Sequence, residues 1–311
     1  MQDPKSELSF WMTPYIDLCH KIMNDGEAVV DRTGVGTHTL NTPDVLRFNL
    51  RHGMPYLPYK KMPPISTLDE LLWFLRGDNT VAGLGKSAAA SWWAPHQRPG
   101  EEDLGPIYGK QWRAAPGASP EGTDQLKNVL TSLRAHVYGN HPSRRHVVSL
   151  WGVGQQHQMA LPCCHGTVIQ FFVTTERNHD DTKERYLDMT MYQRSADVAL
   201  GLPVNILSYA ILLQLMAEWI GIKPRMLNIV LGDAHIYMNH IITMRRFLAD
   251  AEELMLKGYP GRSVKLKIEH PRAVDPCSGD VPDVDQYTSG MFKLSNLDVV
   301  SDKKYEFPHN V

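Results

Sequence analysis

The sequence predicts a mixed α/β fold in a single domain spanning residues 1–311, and three observations lead there. Strand-like segments rich in β-branched and aromatic residues (HVVSLWGV, VIQFFVTT, YLDMTMYQ and MLNIVLG) cluster around one long apolar run. They do not alternate with helices as a barrel or a doubly wound sheet requires. The run itself, ILSYAILLQLMAEWIGI at 206–222, contains Glu218 and is short for a membrane span, so it reads as a buried helix. Finally, 311 residues of 42% hydrophobic composition, with no internal repeat, can enclose one sizeable core.

In chain order, Leu8, Trp11, Met12, Tyr15, Leu18, Cys19 and Ile22 recur at helical spacing, with Pro14 marking a start near that point. DRTGVGTHTL, rich in glycine and threonine, reads as a tight exposed loop. VLRFNL at 45–50 is strand-like and leads into the proline-rich PYLPYKKMPP. STLDELLWFLRG at 66–77 opens on Ser and Thr, continues with acidic residues and carries an apolar stripe, the pattern of a capped helix. Residues 78–123 lack a sustained period and are expected to form long ordered loops, an insertion or a functional region. QLKNVLTSLRAH at 125–136 reads as an amphipathic helix, and the four strands named above surround a helix at 206–220. SVKLKIEH at 263–270 and MFKLSNLDVV at 291–300 are late strands separated by a polar, loop-rich segment around 271–290.

Charge and cysteine usage exclude several classes of function. With 32 basic and 34 acidic residues the net charge is -2, so no global field favours a nucleic-acid substrate. Four cysteines are too few for a disulfide scaffold, and the adjacent Cys163 and Cys164 cannot easily reach one bridging geometry. No CxxC or HExxH spacing marks a metal site, so none is expected. The N-terminus, MQDPKSELSFWM, lacks the basic and apolar regions of a secretory signal. A reducing, cytoplasmic location without membrane attachment is the expectation. ALPCCHG at 160–166 then poses a choice: a buried cysteine is more often a small hydrophobe than a nucleophile, and only its company can promote it.

That company is DRTGVGT (31–37), ELLWFLRGD (70–78), DLGPIYGKQWR (103–113), PSRRHVVSLW (142–151), ALPCCH (160–165), YQRSADVALGLPVNILSY (192–209) and GDAHIYMNH (232–240). In these residues, and in their order, the chain resembles thymidylate synthase and the related pyrimidine-nucleotide hydroxymethylases. The resemblance implies a three-layer fold with a large mixed sheet packed by helices, a homodimer formed through that sheet, and one-carbon transfer from 5,10-methylenetetrahydrofolate to C5 of dUMP. It implies Cys164 as nucleophile, Glu70 as the group acting at O4, Tyr108 in removal of the C5 proton, and His165 and Asp197 among the catalytic residues. Arg32, Gln193, Arg194 and Ser195 would bind the nucleotide within one subunit, and Arg144 and Arg145 would reach the partner's site. Asn205 would read uracil, because a carboxamide can donate to O4 and accept from N3–H. His235 and Tyr237 would hold the sugar hydroxyl, and Lys60, Trp93, Asp197 and Gly201 would meet the folate.

Three departures from thymidylate synthase bear on the fate of the delivered carbon, which accepts hydride in methylation and water in hydroxymethylation. With Trp93 aligned to the second of the family's paired tryptophans, Ala90 stands where the first would shield the reacting carbon, although Trp92 could substitute. Cys164 is one residue further from Gln170 than is usual, which suggests a bulge or an altered neighbouring pocket, and Cys163 replaces a common proline. The chain ends in FPHNV instead of a small apolar tail that excludes water. Together they favour a deoxyuridylate hydroxymethylase, an activity that would suit a bacteriophage modifying its DNA precursors. Methylation to dTMP is the alternative, and an inactive homologue serving as a binding protein is a remote one.

Overall fold

The computed structural model describes residues 12–117, 119–258, 263–276, 282–297 and 305–310. Leu8 and Trp11 of the first expected helix, Cys277, residues 277–281 of the polar loop and 298–300 of the last expected strand lie outside them. The observed elements are α1 (Thr13–Asp25), β1 (Glu27–Val29), β2 (Thr37–Asn41), β3 (Leu46–Asn49), α2 (Pro64–Arg76), α3 (Ala90–Trp93), α4 (Tyr108–Ala114) and α5 (Gln125–Tyr138). They are followed by β4 (Val147–Ser149), β5 (Val168–Arg177), β6 (Lys183–Asp197), α6 (Gly201–Trp219), β7 (Lys223–Tyr237), α7 (Ile241–Leu256), β8 (Lys265–Ile268) and β9 (Phe292–Ser295).

A mixed seven-stranded sheet, ordered β1-β2-β7-β6-β5-β4 with β3 also on β7, is the scaffold. Only β6 and β7 run parallel, joined by α6 as the crossover; the other pairs are antiparallel. The period-2 alternation explains why this sheet forms. Val148, Ile169, Phe171, Met189 and Met191 turn inward and are buried, whereas Val147, Val168 and Tyr192 lie on the other face and stay exposed. A register shift in the β6–β7 pair sits at Asp188, whose carboxylate accepts Met226 N–H at 3.0 Å and the Arg225 guanidinium at 2.8 Å, so the irregular backbone is satisfied by a side chain.

Helix α6 is apolar on all sides because it is enclosed on all sides, packing on β6, β7 and α2. It is the one helix among the described residues long and apolar enough to cross a membrane, and it is instead buried inside the protein. Each large side chain it buries contributes about 1.5–3 kcal/mol relative to exposure. The β8–β9 hairpin forms a separate small sheet.

The architecture corrects several expectations. Helix α2 begins at Pro64, and Ser66 and Thr67 lie inside it as buried residues, not at its cap. Proline at the first helical turn supplies the start instead, its fixed φ already suited to a helix. Thr37–Asn41, expected as loop, pairs with β7 as β2. Residues 78–123 are not only loop: α3 and α4 lie within them, and α4 packs against α2. Helix α7 and the short β1 were not expected at all, although Met244, Phe247, Leu248 and Ala251 are buried at helical spacing.

Candidate active site

The carboxyl ends of β6 and β7, the loop before α2, α2 itself and the segment after residue 160 surround a pocket of about 1570 Å³. Cys164, Glu70, Tyr108, His165, Asn205 and Asp197 all line it. So do Arg32, Arg194, Ser195, His235 and Tyr237, together with Lys60, Trp93 and Gly201. Residues far apart in sequence are thus brought to one cavity.

The two adjacent cysteines are divided by the geometry. Cys163 is fully buried in the core, whereas Cys164 faces the pocket. Tyr108 explains how the Cys164 thiol is held. Its hydroxyl oxygen accepts the Cys164 backbone N–H at 2.9 Å, which leaves its own proton free for Cys164 Sγ at 3.3 Å. Burial raises the pKa of Cys164, while the Tyr108 bond and the Arg194 charge pull it down. Burial pushes Cys163 up to about 12, and Tyr108 reaches its sulfur only through the backbone N–H, not through the hydroxyl. Tyr108 is in turn clamped between rings, stacked on Phe74 at 4.8 Å and on His165 at 4.5 Å. His165, held by the Tyr209 hydroxyl at 2.9 Å, is pushed down to about 3 by burial and is neutral at pH 7.

Glu70 is the acidic group most changed by its surroundings. It projects from α2, is almost fully buried, and accepts the Trp93 indole N–H at 2.7 Å. Burial raises its pKa to about 7, opposed by that single bond, so both protonation states are populated at neutrality. At the other end of the pocket, Asp197 Oδ1 accepts the Ala199 and Leu200 N–H groups at 3.0 and 3.1 Å and so fixes the turn entering α6. Lys60 donates to the Ala199 carbonyl, and burial lowers its pKa to about 8. His235 Nδ1 lies 2.6 Å from Asp233 Oδ1, which orients the ring toward the cavity. Arg32 reaches the pocket from the Asp31–Gly36 turn, where Asp31 accepts Gly36 N–H at 2.9 Å and Gly34 and Gly36 adopt φ of 75° and 79°.

Three expected site residues do not line this cavity. Gln193 is buried beneath it, with Nε2 donating to the Ser195 carbonyl at 3.1 Å. It points inward because β6 alternates, sending Arg194 outward. Arg144 and Arg145 are exposed beside the start of β4, away from the chain's own pocket.

The three departures also take physical form. Ala90 does not line the pocket, whereas Trp92 and Trp93 both do. The β5–β6 ladder is in continuous register from Val168 to Arg177, so the expected bulge is absent. Before the strand begins, Gly166 turns with φ of 61°. A Cβ there would meet the Tyr209 hydroxyl at 2.0 Å. Gly166→Ala is therefore expected to lower stability by about 1–3 kcal/mol, seen as a lower midpoint in thermal unfolding. An unchanged midpoint would mean that the turn tolerates the side chain. Finally, residues 305–310 lie along the pocket, so the FPHN end forms part of the cavity wall.

Trp92, His96 and Asp233 also line the pocket, and Tyr209 stands behind it holding His165; of these only Trp92 was anticipated, as a substitute shield. A tyrosine within an otherwise apolar helix run was the one local signal available for Tyr209. No group of three or more potential metal ligands occurs among the described residues. In comparison with known families, the model described as thymidylate synthase matches residues 13–304.

Proposed function

Because the chain belongs to the thymidylate synthase family, whose members are folate-dependent transferases that modify C5 of dUMP, we propose that it converts dUMP to dTMP with 5,10-methylenetetrahydrofolate. The observation that carries this reading is the convergence of a Tyr108-bonded Cys164 thiol, a buried Glu70 carboxyl bonded to Trp93 and the Asn205 carboxamide in one pocket with Asp197.

C5 of uracil is a weak nucleophile until a group adds at C6. Cys164 supplies that group, with Arg194 favouring the thiolate and Tyr108 holding the sulfur in line. Addition moves electron density onto O4. Glu70, near pH 7 able both to give and to take a proton, stabilises that oxygen directly or through water. Asn205 matches uracil with one donor and one acceptor. Arg32, Arg194 and Ser195 form a donor set suited to a phosphate dianion, and His235 with Tyr237 to a sugar hydroxyl.

The donor set also fits a folate. Trp92 and Trp93 offer flat faces, Asp197 an acceptor for amide N–H groups, Gly201 an open approach and Lys60 a cation for an anionic tail. When bound, the folate supplies the one-carbon unit and, for methylation, the hydride. Reduction is favoured over hydration because both indoles and the 305–310 segment line the cavity, which limits entry of water.

A homodimer is part of the proposal. Val147, Val168, Phe172 and Tyr192 share one exposed face of β4–β6, an apolar patch suited to a second copy, and Arg144 and Arg145 stand at its edge. The test is tritium release from [5-³H]dUMP, which should require methylenetetrahydrofolate. No release would contradict C5 chemistry altogether.

A further inference from the structure

The segment bordering the pocket is fastened by particular bonds. Phe307 is buried against the edge of the His240 ring, centroids 5.2 Å apart, and beneath the Lys60 ammonium at 4.8 Å. The Pro308 carbonyl lies 2.7 Å from His240 Nε2. The Asn310 and Asn239 carboxamides exchange bonds at 2.9 and 3.2 Å. These contacts span about 70 residues of sequence and converge on the short turn between β7 and α7.

His240 is the centre of this arrangement. It is fully buried, and its ring meets Tyr237 of the pocket wall at 5.5 Å on one side and Phe307 on the other. A carbonyl can only accept, so Nε2 must carry the hydrogen it gives to Pro308. In the neutral ring Nδ1 is then a bare acceptor, buried with no hydrogen-bond partner among the described residues and 4.0 Å from Asp197 Oδ1. Flipping the ring would lose the tail bond and gain nothing from a residue on the tail. The imidazole therefore has one productive orientation, which ties the tail to the wall that carries Tyr237 and Asp197.

We propose that His240 is a positioning residue that latches the 307–310 segment over the folate end of the pocket. The ligand named here rests on the function proposed above; the latch itself does not. Losing one such buried bond is worth about 1.4 kcal/mol, or tenfold in the closed population.

The test separates the two. Native full-length protein is treated with carboxypeptidase Y and its intact mass followed. Wild-type trimming should stall at the latched residues. His240→Phe, which keeps a ring but no N–H, should be trimmed about tenfold faster at an unchanged thermal midpoint, and His240→Gln, which keeps a donor, should restore much of the protection. Equal trimming of wild type and His240→Phe would overturn the latch, as would a His240→Gln protein as labile as the phenylalanine variant. In turnover, His240→Phe and deletion of 308–311 should each raise KM for methylenetetrahydrofolate about tenfold and leave KM for dUMP unchanged. Combined, they should do no more than either alone. Multiplying effects would show His240 acting apart from the tail and would also overturn the proposal. Protection without any turnover would support the latch while removing the function proposed for the pocket.

Discussion

Cys164→Ser is expected to lose turnover by on the order of 10⁴-fold or more, while Cys163→Ser keeps activity within about threefold. The contrast follows from position. A serine at 164 would keep the Tyr108 contact, but its hydroxyl remains protonated where a thiolate is needed, and no base near it replaces that charge. At 163 the side chain faces the core, so the substitution puts a polar hydroxyl, met by the Tyr108 backbone N–H, where a thiol packed. Its cost is stability, about 1–3 kcal/mol, read as a lower thermal midpoint. Both effects are measured with the same tritium-release assay and a melting curve. Activity surviving in Cys164→Ser but lost in a folded Cys163→Ser would reverse the assignment.

Glu70→Gln is the second large effect, and it acts on rate and stability in opposite directions. The glutamine can still accept the Trp93 N–H but cannot exchange a proton, so kcat should fall by about 10²–10⁴ and the inflection near pH 7 should vanish from the profile. Stability moves the other way. Burial raises Glu70 from 4.5 to about 7, so between those values the folded chain keeps a proton that the unfolded chain releases. Wild-type stability from this group is whole below 4.5, is lost as pH rises through 7 and stays lower above it. Glutamine carries no charge to bury. The variant should therefore gain on wild type by about 2–3 kcal/mol between pH 5 and pH 8, measured by denaturant unfolding at the two pH values. A parallel pH dependence of the two proteins would contradict the account of Glu70 as a buried, half-protonated acid.

Much of the sheet and the site was legible because its signals are local. Alternation in VIQFFV and YLDMTMYQ gives β5 and β6 both their strand character and their two faces. The long apolar run, broken only by Ser208, Gln214 and Glu218, reads as an enclosed helix. The motif blocks carried Cys164, Glu70, Tyr108 and Asn205 to one pocket. What could not be read depends on distance or phase. The His240–Pro308 bond links residues 68 apart, and no period in the sequence encodes it. Which indole meets Glu70 is set by the phase of the four-residue α3, reached through a segment of irregular turns. The sequence shows a glycine after His165, but only the backbone shows that Gly166 turns with positive φ and that the β5–β6 ladder then runs unbroken. Helix α7 was overlooked because paired arginines and acidic residues interrupt its buried positions, although their spacing is helical.

The most direct test of the central claim is the mass of the nucleotide made from dUMP and methylenetetrahydrofolate, with dihydrofolate followed by absorbance. A pocket lined by two indoles and bordered by the tail predicts dTMP and dihydrofolate in equal amounts. Hydroxymethyl-dUMP, with tetrahydrofolate regenerated and no rise in absorbance, would contradict it and show that water reaches the reacting carbon despite that wall.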